Sequence, residues 1–153
     1  MTFTNTLNQD LPSAAKILIV GNGGRENALA WALKKSQEVK EIFVAPGNGG
    51  TEDMKKCSRL NIEETDINKI IETCLSTQID LVIIGPEAPL AAGMADELRK
   101  AGITVFGPGK KGAQLEASKD WAKNLMNQAK IPTAQHWTAN NLEDALAIIK
   151  ESD

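Results

Sequence analysis

Residues 17–26 read ILIVGNGGRE, from Ile17 to Glu26, and this stretch decides the fold. Four apolar residues without a charge are typical of a strand buried in a parallel sheet. The glycines that follow favour a tight turn, and residues 25–35 are predicted to form a helix. A glycine turn at a helix N-terminus favours negative charge, because amide N–H groups point outward and the helix dipole is positive there. We therefore expect a phosphorylated or otherwise anionic ligand.

The composition is that of a globular protein. The chain has 153 residues, of which 42% are hydrophobic and 24% charged, enough for a domain with a core. A formal net charge of −3 gives no electrostatic reason to expect a nucleic acid or an anionic membrane as a partner. Residues 1–15 lack the features of a signal peptide and are predicted to be a polar extension. Cys57 and Cys74 have no metal-ligand spacing, and we expect reduced thiols in a cytoplasmic protein.

Strands and helices alternate along the chain, which predicts an α/β fold with a Rossmann-like, doubly wound parallel sheet. The predicted strands are residues 16–20, 41–45, 81–84 and 104–106, with a short extended segment at residues 58–62. The predicted helices are residues 25–35, 66–77 and 90–101. Asp66 is the predicted N-cap of the second helix, and Gly102 the stop signal of the third. On the second helix, the apolar stripe predicted to face the protein core comprises Ile67, Ile70, Ile71 and Leu75.

The pattern changes after Gly109. Ser118 is the predicted N-cap of a helix that runs to about residue 129, and a strand is predicted at residues 135–138. The side chains predicted to point inward from that helix are Trp121, Leu125 and Met126. Asn141 is predicted to cap a last helix, with one apolar face formed by Leu142, Ala145, Leu146 and Ile149. Because nothing follows to cover this face, we expect the chain to be a fragment.

The glycine turn departs from the dinucleotide fingerprint G-x-G-x-x-G. Gly21 and Gly23 fit, but the third position is Glu26, where close packing of helix on strand requires a small residue. The second predicted strand also ends without the acid that binds ribose hydroxyls. Both departures count against NAD or FAD, and therefore against a nicotinamide-dependent oxidoreductase. A tight turn that binds no ligand is the alternative interpretation.

Glycine-rich, polar segments follow three of the predicted strands, at residues 21–26, 46–51 and 85–87. Ligands of open α/β sheets bind outside the carboxyl ends of the strands, so these segments are expected to line one crevice. Glu87 is the only acid placed next to a strand end there, and its carboxylate can accept two hydrogen bonds from a vicinal diol. The alternatives are a helix-leading acid for Glu87 and a solvated first helical turn for Arg25 and Glu26.

Other chemically interesting residues are isolated in the sequence. The only histidine, His136, is assigned a structural role, and the three tryptophans are expected in a core or an interface. No nucleophile–base set and no metal-ligand set is recognisable, so neither a catalytic residue nor a metal ligand is predicted. Lys119 stands at a helix start, where the dipole disfavours a cation, which points to a phosphate partner.

Five motifs occur in an order that resembles the amino-terminal part of the phosphoribosylamine–glycine ligases, also called glycinamide ribonucleotide synthetases. They extend over residues 16 to about 133. The motifs are Val20-Gly21-Asn22-Gly23-Gly24-Arg25-Glu26, Val44-Ala45-Pro46-Gly47-Asn48, Ile84-Gly85-Pro86-Glu87-Ala88-Pro89-Leu90, Phe106-Gly107-Pro108 and Gln114-Leu115-Glu116-Ala117-Ser118-Lys119.

The resemblance implies a reaction in which ATP, glycine and phosphoribosylamine give glycinamide ribonucleotide through a glycyl phosphate, the second step of purine synthesis. It implies a Rossmann-like pre-ATP-grasp domain at residues 16–117 and the start of an ATP-grasp domain at residues 118–153. ATP and Mg²⁺ would serve the whole enzyme, which we expect to be a monomer, with the metal ligands outside this chain. The fragment alone is therefore expected to be inactive. A non-catalytic module that binds a sugar phosphate or nucleotide is the alternative.

The resemblance also implies site residues. The phosphoribosylamine pocket would comprise Gly21, Asn22, Gly23, Gly24, Arg25, Glu26, Gly85, Pro86 and Glu87, bordered by Asn48, Gly50 and Thr51. Lys119 would reach the phosphates of ATP. The chain departs from the family at Asn27, where histidine is usual, and at Gly109, where threonine is common. Asparagine keeps a hydrogen-bonding role at position 27 but puts any proton transfer there in doubt.

Overall fold

The computed structural model describes residues 12–151, which contain a five-stranded parallel sheet of order β3-β2-β1-β4-β5. This confirms the predicted α/β fold with a Rossmann-like, doubly wound sheet. The strands are β1 (Ala15–Gly21), β2 (Val39–Pro46), β3 (Cys57–Arg59), β4 (Leu81–Ile84) and β5 (Val105–Phe106). The helices of the described residues are α1 (Gly24–Leu33), α2 (Gly49–Glu52), α3 (Ile67–Thr77), α4 (Glu87–Ala92), α5 (Met94–Lys100), α6 (Lys110–Ala117), α7 (Lys119–Gln128) and α8 (Leu142–Glu151).

The central strand β1 is apolar throughout because both of its faces are covered. Ile17 and Ile19 belong to one buried cluster, which includes Ala30 of α1, and Leu18 and Val20 belong to the other. The second cluster takes in buried residues of α3, α4 and α5. Side chains alternate between the two faces of a strand, so the run ILIV buries two residues on each side.

The chain divides into two compact units, of which one ends at Ala113 and the other begins at Gln114. The first unit contains the sheet and α1 to α5, and the second contains α7 and α8. Two of the predicted helix caps are confirmed in the second unit. The Ser118 hydroxyl accepts a hydrogen bond from the Trp121 amide, and the Asn141 side chain accepts one from the Asp144 amide.

Two helices were missed by the sequence prediction, and a third was predicted as continuous. Helix α2 forms in the glycine-rich, polar segment that follows β2, and α6 begins directly after Gly109, in two places where no helix was predicted. The helix predicted at residues 90–101 begins earlier, at Glu87, and is divided at Gly93, whose φ of 103° is left-handed. Such a conformation strains other residues and interrupts the helix.

Several side chains predicted to be inward are exposed. On α3, Leu75 is 58% exposed, and Cys74 takes its place in the core, where burial raises the pKa of the thiol to about 11. Trp121 and Leu125 of α7 are exposed, and Ala122 is the buried residue of that helix. None of the three tryptophans is buried, so a place in the core is wrong for all of them.

Other predicted boundaries also change. Residues 135–138 form no strand, since their backbone lies outside any sheet of the described chain. The predicted polar extension was residues 1–15, but Ala15 is buried and is the first residue of β1, so the extension ends before it. Residues 1–11 of this predicted extension lie outside the described chain. Both cysteines are free thiols. Across residues 12–151, no helix combines the length and apolar character that crossing a membrane requires.

Candidate functional site

The three glycine-rich strand ends lie side by side at one edge of the sheet. Gly21 at the end of β1 is in register with Pro46 at the end of β2. The Gly47 amide donates to the Gly21 carbonyl oxygen at 3.1 Å, and the Gly85 amide donates to that of Val20 at 3.1 Å. The β1–α1, β2–α2 and β4–α4 junctions therefore border one region at the carboxyl ends of the strands.

The Asn48 side chain joins the second junction to the first. Its Nδ2 donates to the carbonyl oxygens of Asn22 at 2.8 Å and Gly23 at 3.2 Å, and its Oδ1 accepts from the Thr51 amide at 3.2 Å. Asn48 is the N-cap of α2, so a single side chain begins this helix and holds it against the glycine turn. Asparagine at a turn is common, but these three bonds give Asn48 a defined structural role.

The Arg25 side chain joins the first junction to the third. Its Nε donates to Glu26 Oε1 at 2.8 Å, and its Nη1 lies 3.4 Å from Glu87 Oε1. The hydrogen bond to Glu26 raises the pKa of the Arg25 guanidinium above its ordinary value. The side chains of Arg25 and Glu87 are 52% and 45% exposed, so a cation and a carboxylate face solvent together here.

The Glu26 side chain is buried, which corrects the interpretation of a solvated first turn. It is 3% exposed, and its Oε2 accepts the Gly23 amide at 2.8 Å while its Oε1 accepts Arg25 Nε. The carboxylate thus occupies a turn in which the sequence predicted outward-pointing amides. This placement also explains why the residue at the third glycine position of the fingerprint is not small, because the long Glu26 side chain folds back under the turn.

The remaining predicted residues differ in their access to solvent. Asn22, Gly24 and Gly50 are exposed, whereas Gly23, Asn48, Gly85, Pro86 and Glu87 are half-buried. Gly21, Glu26 and Thr51 are buried, and the Thr51 hydroxyl is fully engaged with the Asn48 backbone, donating at 2.8 Å and accepting at 2.9 Å. In this conformation these three residues shape the site from beneath and do not line it.

Two features of the site were not found from the sequence. A Cβ on Gly50 would collide with Asn27 Nδ2, so the Asn27 side chain packs α1 against α2. Arg59 at the end of β3 donates to the Pro46 carbonyl oxygen at 3.1 Å and pairs with Glu52 at 2.9 Å. β3 lies beside β2 in the sheet, so the arginine at the carboxyl end of β3 was the sequence signal that could have revealed this contact.

The second unit holds the other predicted residues. Lys119 is the exposed first residue of α7. His136 Nε2 lies 4.0 Å from Asp120 Oδ1, which also accepts the Thr138 hydroxyl at 2.6 Å. Within residues 12–151, no group of three or more histidine, cysteine or acidic side chains is placed to hold a metal ion.

Comparison with known protein families identifies the chain. Residues 15–116 match the family described as phosphoribosylglycinamide synthetase, N domain. The chain belongs to this family. Among its relatives, the phosphoribosylamine–glycine ligase of Neisseria meningitidis is 50% identical over 130 residues, which cover 85% of this chain and 30% of the relative. That of Clostridium acetobutylicum is 43% identical over 136 residues, covering 89% and 32%.

A human relative, the trifunctional purine biosynthetic protein adenosine-3, is 46% identical over 140 residues, covering 92% of this chain and 14% of the human protein. The chain thus spans about a third of the length of the bacterial relatives it matches.

Solved structures show the same fold in more distant proteins. The biotin carboxylase domain of a single-chain bacterial carboxylase superposes with a TM-score of 0.66 at 18% identity, covering 90% of this chain and 34% of that one. A structure described as glycinamide-RNase-transformylase T from Mycobacterium tuberculosis gives a TM-score of 0.65 at 17% identity, covering 87% and 38%. At these identities the likeness concerns the fold alone.

Proposed function

We propose that this chain is the substrate-binding, N-terminal part of an ATP-dependent ligase that joins glycine to 5-phosphoribosylamine, giving glycinamide ribonucleotide in the second step of purine synthesis. The observation that carries the proposal is the pairing of Arg25 with Glu87 across two strand ends, in a chain of the phosphoribosylglycinamide synthetase family. We assign the complete reaction to a protein of the relatives' full length, of which this chain matches about a third, and propose that the chain alone is inactive.

The chemistry explains why such a chain would bind and orient the sugar. A carboxylate is a poor electrophile until one of its oxygens becomes a phosphate leaving group, which ATP supplies as a glycyl phosphate. The amine must then be held close to the activated carbon and in line with it, since positioning supplies much of the rate. We assign ATP and Mg²⁺ to the whole enzyme and the sugar phosphate to this chain.

The pocket offers complementary groups to a phosphorylated sugar. Glu87, half-exposed beside Arg25, can accept hydrogen bonds from the ribose diol, and the Arg25 guanidinium can donate to an oxygen of the ligand. Exposed Gly24, at the start of α1, has open space beside it and allows close approach to the backbone, and Gly50 of α2 is exposed nearby. Gly21, Glu26 and Thr51 support this surface from beneath, with Asn48 linking its two helices.

The proposed domain organisation places the Rossmann-like, substrate-binding domain at residues 16–117 and the beginning of an ATP-grasp domain at residues 118–153. Lys119, at the start of α7, is assigned to the phosphates of ATP in the whole enzyme. A cation at that position opposes the helix dipole, so a negatively charged partner would stabilise it.

Calorimetry on the 153-residue chain tests the proposal. We expect weak binding of ribose 5-phosphate, no binding of NAD, and no glycinamide ribonucleotide when the chain is mixed with phosphoribosylamine, glycine, ATP and Mg²⁺. The sugar phosphate should bind because the pocket has groups for both its hydroxyls and its charge. Micromolar affinity for NAD, or no heat with ribose 5-phosphate, would contradict the proposed binding role, and product formation would contradict the assigned inactivity.

A further inference from the structure

We propose that the Glu26 carboxylate occupies the anion-binding position of the glycine turn, and so excludes the pyrophosphate of a dinucleotide from this Rossmann-like sheet. Glu26 would then be a specificity-determining residue whose effect does not depend on the ligase assignment. The inference begins from the turn between β1 and α1, the position at which dinucleotide-binding sheets hold pyrophosphate.

The hydrogen bonds of the turn are the first line of support. A pyrophosphate at a helix N-terminus is held by backbone N–H groups that point at it. Here the Gly23 amide donates instead to Glu26 Oε2 at 2.8 Å, and the carboxylate that accepts it is 3% exposed. The chain therefore supplies its own anion to the turn.

The glycines of the site show how this carboxylate is accommodated. A Cβ on Gly21 would lie 2.8 Å from Glu26 Cδ, and a Cβ on Gly23 would lie 3.0 Å from Glu26 Oε2. At Gly85, on the neighbouring strand end, a Cβ would collide with Glu26 Oε1. The glycines at these two strand ends thus leave a space that the Glu26 side chain fills. From the sequence alone, the same glycines had suggested a space for a phosphate.

Electrostatics acts in the same direction. The positive end of α1 already interacts with the Glu26 carboxylate, whose other oxygen accepts Arg25 Nε at 2.8 Å. A pyrophosphate brought to the turn would meet a buried negative charge at the Gly23 amide, whose N–H is already bound, and like charges repel strongly where water is excluded. Arg25 still faces Glu87 with its Nη1, so the outer part of the pocket stays available to another ligand.

The test is a titration of the ¹⁵N-labelled chain with inorganic pyrophosphate, followed at the amide signal of Gly23, the donor that Glu26 occupies. The wild-type chain is expected to show no saturable shift of this amide at millimolar pyrophosphate. In Glu26→Ala, which frees the Gly23 amide and removes the charge, we expect saturable shifts and an affinity higher by about tenfold or more. The matched control is Glu72→Ala, which removes an exposed acid on α3 and is expected to behave as wild type.

Two results would overturn the proposal. One is a saturable shift of Gly23 in the wild-type chain, and the other is a folded Glu26→Ala variant without any such shift. Should Glu26→Ala not fold, hydrogen exchange of the wild-type chain decides. Slow exchange of the Gly23 amide supports its bond to the buried carboxylate, whereas exchange at the rate of an unstructured glycine contradicts it.

Discussion

Replacing Gly85 with alanine is expected to lower the free energy of unfolding by about 1–3 kcal/mol, because the new Cβ collides with Glu26 Oε1. The Glu26 side chain is 3% exposed and is held by the Gly23 amide and Arg25 Nε, so moving it aside breaks both hydrogen bonds. Urea unfolding followed by circular dichroism measures the loss.

The control for this prediction is Gly24→Ala in the same turn, where a Cβ would meet nothing within 4 Å. Gly24 is the first residue of α1, so alanine there should leave stability unchanged or raise it slightly. The three atoms nearest to a Cβ on Gly85 all belong to Glu26, so Gly85→Ala should cost much less in a Glu26→Ala background. Equal costs in the two backgrounds would show that Glu26 is not the obstacle.

Removing the Glu87 carboxylate is expected to weaken binding of ribose 5-phosphate by about 1.5–3 kcal/mol, roughly ten- to 150-fold in Kd, if it holds the ribose diol. Glu87 is half-exposed at the start of α4 and lies 3.4 Å from Arg25 Nη1. Calorimetry on Glu87→Ala measures the change, and Glu72→Ala serves as the control that removes an exposed acid elsewhere.

The comparison is valid when Glu87→Ala keeps the melting temperature of the wild-type chain. An unchanged affinity in such a folded variant would reassign Glu87 to the alternative role of an acid that complements the dipole of the following helix. The distinction is useful because a surface ion pair such as that between Arg25 and Glu87 contributes little to stability.

The centre of the sheet was predictable because β1 and β4 are buried on both faces and are therefore nearly continuous apolar runs. β4 (Leu81–Ile84) was predicted with its observed bounds, and the caps Asp66, Ser118 and Asn141 were predicted from their residue types. These signals are local, so a single sequence carries them.

The missing parts depend on tertiary contacts. α6 was missed because its first amide is capped by the preceding helix: Asp96 of α5 accepts the Lys110 N–H at 2.7 Å, and a Cβ on Gly109 would lie 2.5 Å from Asp96 Oδ1. The absence of a side chain at Gly109 thus leaves room for this cap. The exposure of Leu75 depends likewise on which neighbours cover α3.

The candidate site was predictable in outline and not in detail. The expectation that three strand ends adjoin follows from parallel topology, and the bonds from the Gly47 amide to Gly21 and from the Gly85 amide to Val20 agree with it. The burial of Glu26 was not foreseeable, because a glutamate in a first helical turn is ordinarily solvated. The glycine spacing that suggested an anion site arises from a contact with the chain's own carboxylate.

If the three junctions form one pocket for a phosphorylated sugar, titration of the chain with ribose 5-phosphate should change the amide chemical shifts at all three. We expect saturable shifts with one common Kd, reported by Gly24, Gly50 and Glu87. Shifts confined to one junction, or Kd values that differ among the three, would contradict a single pocket.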